Sequence, residues 1–249
     1  AAYSLAQHPD PQLEATVDGA IDTVCAAQHE SGYLDTYYII NGMDGAFTNL
    51  RDNHELYCLG HLTEAAVAYY QATGKGKLLQ AACRFASYVA REFGPGEGQR
   101  RGYPGHEITE MAMVRLYEAT GERKYLELGK FFIDQRGAQP HYFAQEERLR
   151  AQREGKPCPA GDVGQYAYHQ AHLPVREQAE AVGHAVRAGY LYAGMADVAR
   201  LTEDEGLWAA CQRLWGSIPR EKLYITGGVG GTVHGEAFSS PFALPNDAA

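Results

Sequence analysis

Three histidines and one glutamate stand where proton-transfer and hydroxyl-binding chemistry is possible. His54 opens a helical stretch (RDNHELYC), His106 opens the next (YPGHEITE), and His184 lies in the first turns of a third (REQAEAVGHAVRA). A neutral imidazole offers one donor and one acceptor, which suits a sugar hydroxyl. Glu236 lies in TGGVGGTVHGEAF, where five glycines before it permit tight turns and close backbone approach. A carboxylate held in such a loop at a cavity mouth is a candidate general acid/base. Each residue also has a plainer reading. A histidine near a helix start can serve a local structural role, and a glutamate in a glycine-rich turn can be a surface residue. The segment HQAHLPVREQ at 169–178 is read as structural, with Arg176 and Glu177 as an ion pair at a helix start and Pro174 setting the entry. There is no GxGxxG and no GxxxxGK[ST], so nucleotide binding has no support.

The elements that must position these residues are helical. Apolar residues recur at three- and four-residue steps over 11–29, 52–73, 77–93, 106–120, 122–136, 176–199 and 203–217. The run Tyr37-Tyr38-Ile39-Ile40 reads as a short strand. Three segments resemble one another: AVAYYQATGKGKLLQAACRFA at 66–86, AMVRLYEATGERKYLELGKFF at 112–132, and more weakly GMADVARLTEDEGLWAACQRL at 194–214. Their turn threonines, Thr73, Thr120 and Thr202, are 47 and 82 residues apart, and the excess falls on an insertion at about 137–175. Helical hairpins with this period suit an α/α toroid, in which inner helices ring a cavity and outer helices cover them. Armadillo-type pairs have a compatible length. The glycine-rich run EAVGHAVRAGYLYAGMADVA fits an inner helix pressed by neighbours, since each helical glycine costs about 1 kcal/mol relative to alanine.

Composition excludes several classes. With 249 residues, 45% of them hydrophobic, the chain can bury a substantial core. A formal charge of -9 argues against nucleic acid or anionic membrane as the main partner. No apolar run approaches the roughly 20 residues needed to span a bilayer. The five cysteines, Cys25, Cys58, Cys83, Cys158 and Cys211, are odd in number and widely spaced without a CxxC pair. Such a pattern points to a reducing, cytoplasmic compartment and offers no zinc-thiolate site. Neither end carries a recognisable start or stop pattern, so truncation at both ends is expected.

These motifs together resemble a known family. SGYLDTYY, RDNHELYCLGHL, YPGHEI, QAHLPVREQAEAVGHAVRAGYLYAGMADVA and ITGGVGGTVHGEAF are similar, in order, to glycoside hydrolase family 127, whose best-known members are β-L-arabinofuranosidases. The resemblance implies an all-α fold: a partial (α/α)6 barrel over 1–249, with β-rich domains following in full-length members. It implies a retaining mechanism with a zinc-bound cysteine nucleophile. It places the acid/base on Glu236 and sugar contacts on His54, His106 and His184. In the family the zinc ligands follow LPND, which here is Leu244–Asp247, so ligands and nucleophile are expected beyond residue 249. None of the five cysteines present matches them.

The leading expectation is a fragment of a zinc-dependent hydrolase that releases terminal β-L-arabinofuranose, with a carbohydrate as its partner. Alone, the fragment is expected to be inactive and to bind no zinc, and its partial ring should expose apolar helix faces. Two alternatives stand beside this: a hydrolase of the same family acting on another plant-glycan sugar, and a non-catalytic helical-repeat binding module. The toroid requires His54, His106, His184 and Glu236 to meet, whereas a binding module scatters them.

Overall fold

The computed structural model describes residues 1–157 and 163–246. Ten α-helices are seen among them: α1 Ala2–Gln7, α2 Pro11–Ala26, α3 Thr36–Asn41, α4 Glu55–Thr73, α5 Lys77–Glu92, α6 Thr109–Thr120, α7 Arg123–Gln135, α8 Tyr142–Glu154, α9 Ala185–Thr202 and α10 Glu205–Ser217. Short 3-10 and π turns join them, and only isolated bridges pair extended backbone among the described residues.

The helices stand in two rows. In the inner row α4 packs on α6, and α6 on α9. In the outer row α5 packs on α7, and each member covers its own inner partner: α5 on α4, α7 on α6, α10 on α9. Both rows continue at one end, where α1 lies against α4 and α2 against α5. This is a partial (α/α)6 toroid. Close approach between the helices is set by small residues. A Cβ on Gly60 would meet Ile108, one on Gly194 would meet the α6 backbone at Glu110 and Met111, and one on Gly129 would meet the Glu110 carbonyl.

The repeated turn has one geometry in all three hairpins. Thr73, Thr120 and Thr202 each donate their hydroxyl to the carbonyl four residues back, at 2.7 Å in every case. The next residue closes the helix in the left-handed region: Gly74 and Gly121 at φ 73°, Glu203 at φ 54°. A side chain in that region is disfavoured by roughly 1 kcal/mol, so the third copy is the strained one. Replacing Glu203 with glycine should therefore raise stability by up to about 1 kcal/mol, less the extra freedom glycine gives the unfolded chain. An unchanged or lower urea midpoint would contradict that account.

Three sequence expectations change. Tyr37–Ile40 is helical within α3, because Asp35 caps the turn by accepting from the Tyr37 amide at 3.0 Å. The third inner helix begins at Ala185 and not at Arg176. The cause is Gly183, at φ 75°, whose Cα sits so close to the Ala167 and Tyr168 backbone that no Cβ would fit. Arg176 bridges Asp134 at 2.7 Å and Asp204 at 2.6 Å, joining α7 to α10, in place of the expected pairing with Glu177. The 137–175 stretch holds α8, while Cys158 lies outside the described residues.

One face of the last hairpin is apolar and open. Leu207, Cys211 and Leu214 of α10 are buried, but Trp208 and Trp215 are 50% and 68% exposed. With Gly189, Tyr192 and Ala193 of α9 they line a groove of about 500 Å³.

Candidate active site

The inner helices all begin at one end of the rows, and the candidate residues collect there. His54 is the N-cap of α4, but its side chain makes no capping bond, so the ring is left for other work. The loop before it is fixed from two sides. The Glu55 carboxylate accepts from the Phe47 amide at 3.0 Å and from the Tyr33 hydroxyl at 2.5 Å. Glu146 of α8 accepts from the amides of Leu50 at 2.7 Å and Arg51 at 3.2 Å. The 137–175 stretch thus supplies a brace for the loop that presents His54.

His106 sits three residues before α6. Its loop lies tight against the first: a Cβ on Gly105 would run into the carbonyls of Leu50 and Arg51. His106 Nδ1 lies 2.9 Å from the Glu107 carbonyl. A carbonyl can only accept, so Nδ1 carries the proton. Burial pushes the His106 pKa down to about 4, so Nε2 presents a lone pair.

His184 is the N-cap of α9, and its Nδ1 accepts from the Arg187 amide at 3.4 Å. The proton is then on Nε2, which donates to Glu236 Oε2 at 2.9 Å. Burial, and then the Arg187 charge, hold the His184 pKa below its ordinary value. Glu236 takes a left-handed φ of 47° after Gly235 at 82°. Its carbonyl accepts from Ala185 at 2.9 Å, and the Phe238 amide donates to Gly183 at 2.8 Å. These bonds clamp the glycine-rich loop onto the first residues of α9, with the Phe238 ring packed on Ala181, Ala185 and Ala188.

The four residues form a row. Ring centroids are 5.8 Å apart from His54 to His106 and 5.6 Å from His106 to His184, and Glu236 follows. Scattered polar groups, which a binding module would show, are not what the fold places here. Sequence reasoning missed Tyr57, whose ring is 4.4 Å from His106 and 5.4 Å from His54. It also missed Tyr190, 6.2 Å from His106. Tyr57 was findable, three residues past His54 and so turned to the same side of its helix, whereas Tyr190, six past His184, falls on a different face by helical periodicity. Of the loop tyrosines, Tyr168 reaches the row, its ring 5.7 Å from His184.

A buried polar cluster supports the row from behind. Arg136, fully buried, lies 2.9 Å from Glu107 and 2.8 Å from Glu110 and donates to the carbonyls of His169 and Pro104. The Glu107 carboxyl is pushed up by burial and by Glu110 on the same guanidinium, against the pull of Arg136.

Among the described residues no cation pairs with Glu55, and burial raises its pKa from 4.5 to about 7. The folded protein therefore keeps a proton between those values that the unfolded chain releases. The stability Glu55 contributes is complete below about pH 4.5 and is lost as pH rises through 7. Glu55→Gln should flatten this part of the stability-pH curve, measured by urea midpoints from pH 5 to 8. An undiminished slope would assign it to other groups.

Among the described residues no group of three or more His, Cys, Asp or Glu could hold a metal ion. Cys58 is exposed, and the thiols of Cys25, Cys83 and Cys211 are free and lie on other helices. The described residues do not fit a zinc site. No helix among the described residues is long and apolar enough to cross a membrane.

Comparison with known proteins agrees with the fold. Residues 1–249 match the family described as "Beta-L-arabinofuranosidase, GH127 catalytic domain". A non-reducing end β-L-arabinofuranosidase of Bifidobacterium longum subsp. longum is 44% identical over 99% of this chain and 38% of its own length. The crystal structure of a GH127 β-L-arabinofuranosidase from Geobacillus stearothermophilus T6 superposes with a TM-score of 0.93 at 52% identity, covering 99% of this chain and 38% of that one. A GH127 β-arabinofuranosidase structure gives 0.86 at 42% identity, covering all of this chain and 37% of that one. The chain thus spans well under half the length of these relatives. On the family match over its whole length, the chain belongs to glycoside hydrolase family 127.

Proposed function

We propose that this chain forms one wall of the active site of a retaining β-L-arabinofuranosidase, with Glu236 as its acid/base and His54, His106 and His184 as contacts to the sugar hydroxyls. The observation that carries this is the row itself: three imidazoles from three successive inner helix starts, ending on a carboxylate 2.9 Å from the last. The relatives' names supply the sugar.

Each group has a task its tautomer allows. His106 Nε2 accepts from a sugar hydroxyl, and Tyr57 closes the pocket beneath it. His184 donates to Glu236 and fixes the carboxyl orientation. Glu236 delivers its proton to the departing glycosidic oxygen. In the second half-reaction it takes a proton from the attacking water. The resemblance places the nucleophile, a zinc-bound cysteine, in sequence beyond this chain, and none of the steps assigned here involves the metal. Carbohydrate is then the partner, with neither nucleic acid nor membrane, and the free thiols accord with a cytoplasmic setting.

The test is an assay of a longer polypeptide that continues past Ala249, using an aryl β-L-arabinofuranoside, with the product anomer followed by NMR. Release of β-L-arabinose as the first-formed anomer supports the reading. Turnover of a different sugar only, or inversion, removes it.

A further inference from the structure

Arg187 sits one turn into α9, three residues beyond His184, and is 7% exposed. It makes no carboxylate ion pair among the described residues. Its guanidinium meets backbone and rings. Nη1 lies 2.5 Å from His169 Nδ1 and 3.2 Å from the Gly105 carbonyl. His169 Nδ1 is itself 2.9 Å from the same Gly105 carbonyl, so the guanidinium, the imidazole and the carbonyl form one compact cluster in which the carbonyl accepts. The guanidinium carbon is also 4.6 Å from the centre of the Tyr168 ring, a cation–π contact.

These contacts reach every segment that presents the row except the one bearing His54. Gly105 immediately precedes His106. Tyr168 accepts from the His184 amide through its carbonyl at 3.2 Å. Its ring lies against Gly235, where a Cβ would stand 3.2 Å away, one residue before Glu236. Two loops distant in sequence therefore meet on one side chain, and the third, bearing Glu236, is reached through the Tyr168 ring. We infer that Arg187 is a positioning residue, which sets His106, His184 and Glu236 in register through Gly105, His169 and Tyr168 while touching no substrate itself.

The inference rests on the hydrolase reading for its effect on rate, but its geometry stands without it. It has an electrostatic corollary. The charged and titratable groups facing His106 are Arg187, His184, His54, Tyr57 and Tyr190, and those facing His184 are Arg187, Glu236, His106 and Tyr168. His169 faces Arg187, Arg136 and Arg51. Arg187 is the cation common to all three imidazoles. It opposes their protonation and adds to the effect of burial.

The experiment compares Arg187→Met and Arg187→Lys with the parent in the longer polypeptide. The readouts are kcat/KM against pH on the aryl arabinofuranoside, the NMR titration of the His106 and His184 ring protons, and thermal melting. Arg187→Met should lower kcat/KM by about 100-fold, the order expected for misplacing reacting groups by about 1 Å. It should also raise both imidazole titrations and the acid limb by up to about one pH unit. Arg187→Lys keeps the charge and loses the fork, so the titrations should stay in place while the rate still falls. Titrations unmoved in the methionine variant, or rates that fall only with the folded fraction, would overturn the inference. A parent that hydrolyses no arabinofuranoside would remove the proposed function, and the histidine titrations would still decide the role of Arg187.

Discussion

Glu236→Gln, in a polypeptide extended past Ala249, is expected to slow release of a poor leaving group by about 10²–10⁴-fold. The substitution is conservative for structure. The loop is held by backbone bonds, the Glu236 carbonyl to Ala185 and the Phe238 amide to Gly183, and neither uses the carboxylate. The glutamine oxygen can still accept from His184 Nε2, so the row should keep its geometry. Only the transferable proton is lost. An aryl glycoside whose phenolate departs unassisted should form its glycosyl intermediate nearly as fast as before. It should then stall, because water loses its base, and an added small anionic nucleophile should relieve the stall. A variant that turns over a poor leaving group at the parental rate would exclude Glu236 as the acid.

The second large effect concerns stability. Arg136→Met should destabilise the fold by about 3–5 kcal/mol, the range for breaking a buried ion pair from one side. Arg136 sits between Glu107 and Glu110 and also satisfies two loop carbonyls and stacks 4.9 Å over Tyr103. Its removal leaves two buried carboxyls sharing no cation, so at least one must take a proton or draw in water. The loss would consume much of the roughly 5–15 kcal/mol that holds an ordinary domain together. Arg136→Lys should recover part of it, because an ammonium keeps the charge but cannot serve both carboxylates and both carbonyls with a planar fork. A urea midpoint near the parental value for the methionine variant would show the cluster to be dispensable.

The hairpins were legible because their signal is local. Each couples a helical period to a Thr and a left-handed terminus, and that geometry recurs at Thr73, Thr120 and Thr202. The failures were also physical. Tyr37–Ile40 has the β-branched and aromatic content of a strand, yet Asp35 capping turned it into a helix. The start of α9 was placed nine residues too early because the apolar pattern runs smoothly through Gly183, and the close approach of the Tyr168 backbone is a tertiary fact. Arg187 was passed over for the same reason. Within a helix of small residues it reads as a solvated charge, and only the fold shows it buried against His169. His54, His106, His184 and Glu236 were visible as motifs, but their spacing in the row comes from how closely Gly105 and Gly183 let the loops pack.

The two-row arrangement makes the domain nearly one-dimensional, since each hairpin answers chiefly to the hairpins beside it. Cooperativity is then a matter of seams. The α4–α5 and α6–α7 hairpins, each gripped on both sides, should be the last to open. The row of imidazoles crosses those same seams, taking one ring from the start of each of α4, α6 and α9. A weakened seam would therefore withdraw a single imidazole from the row well before the rest of the domain unfolds.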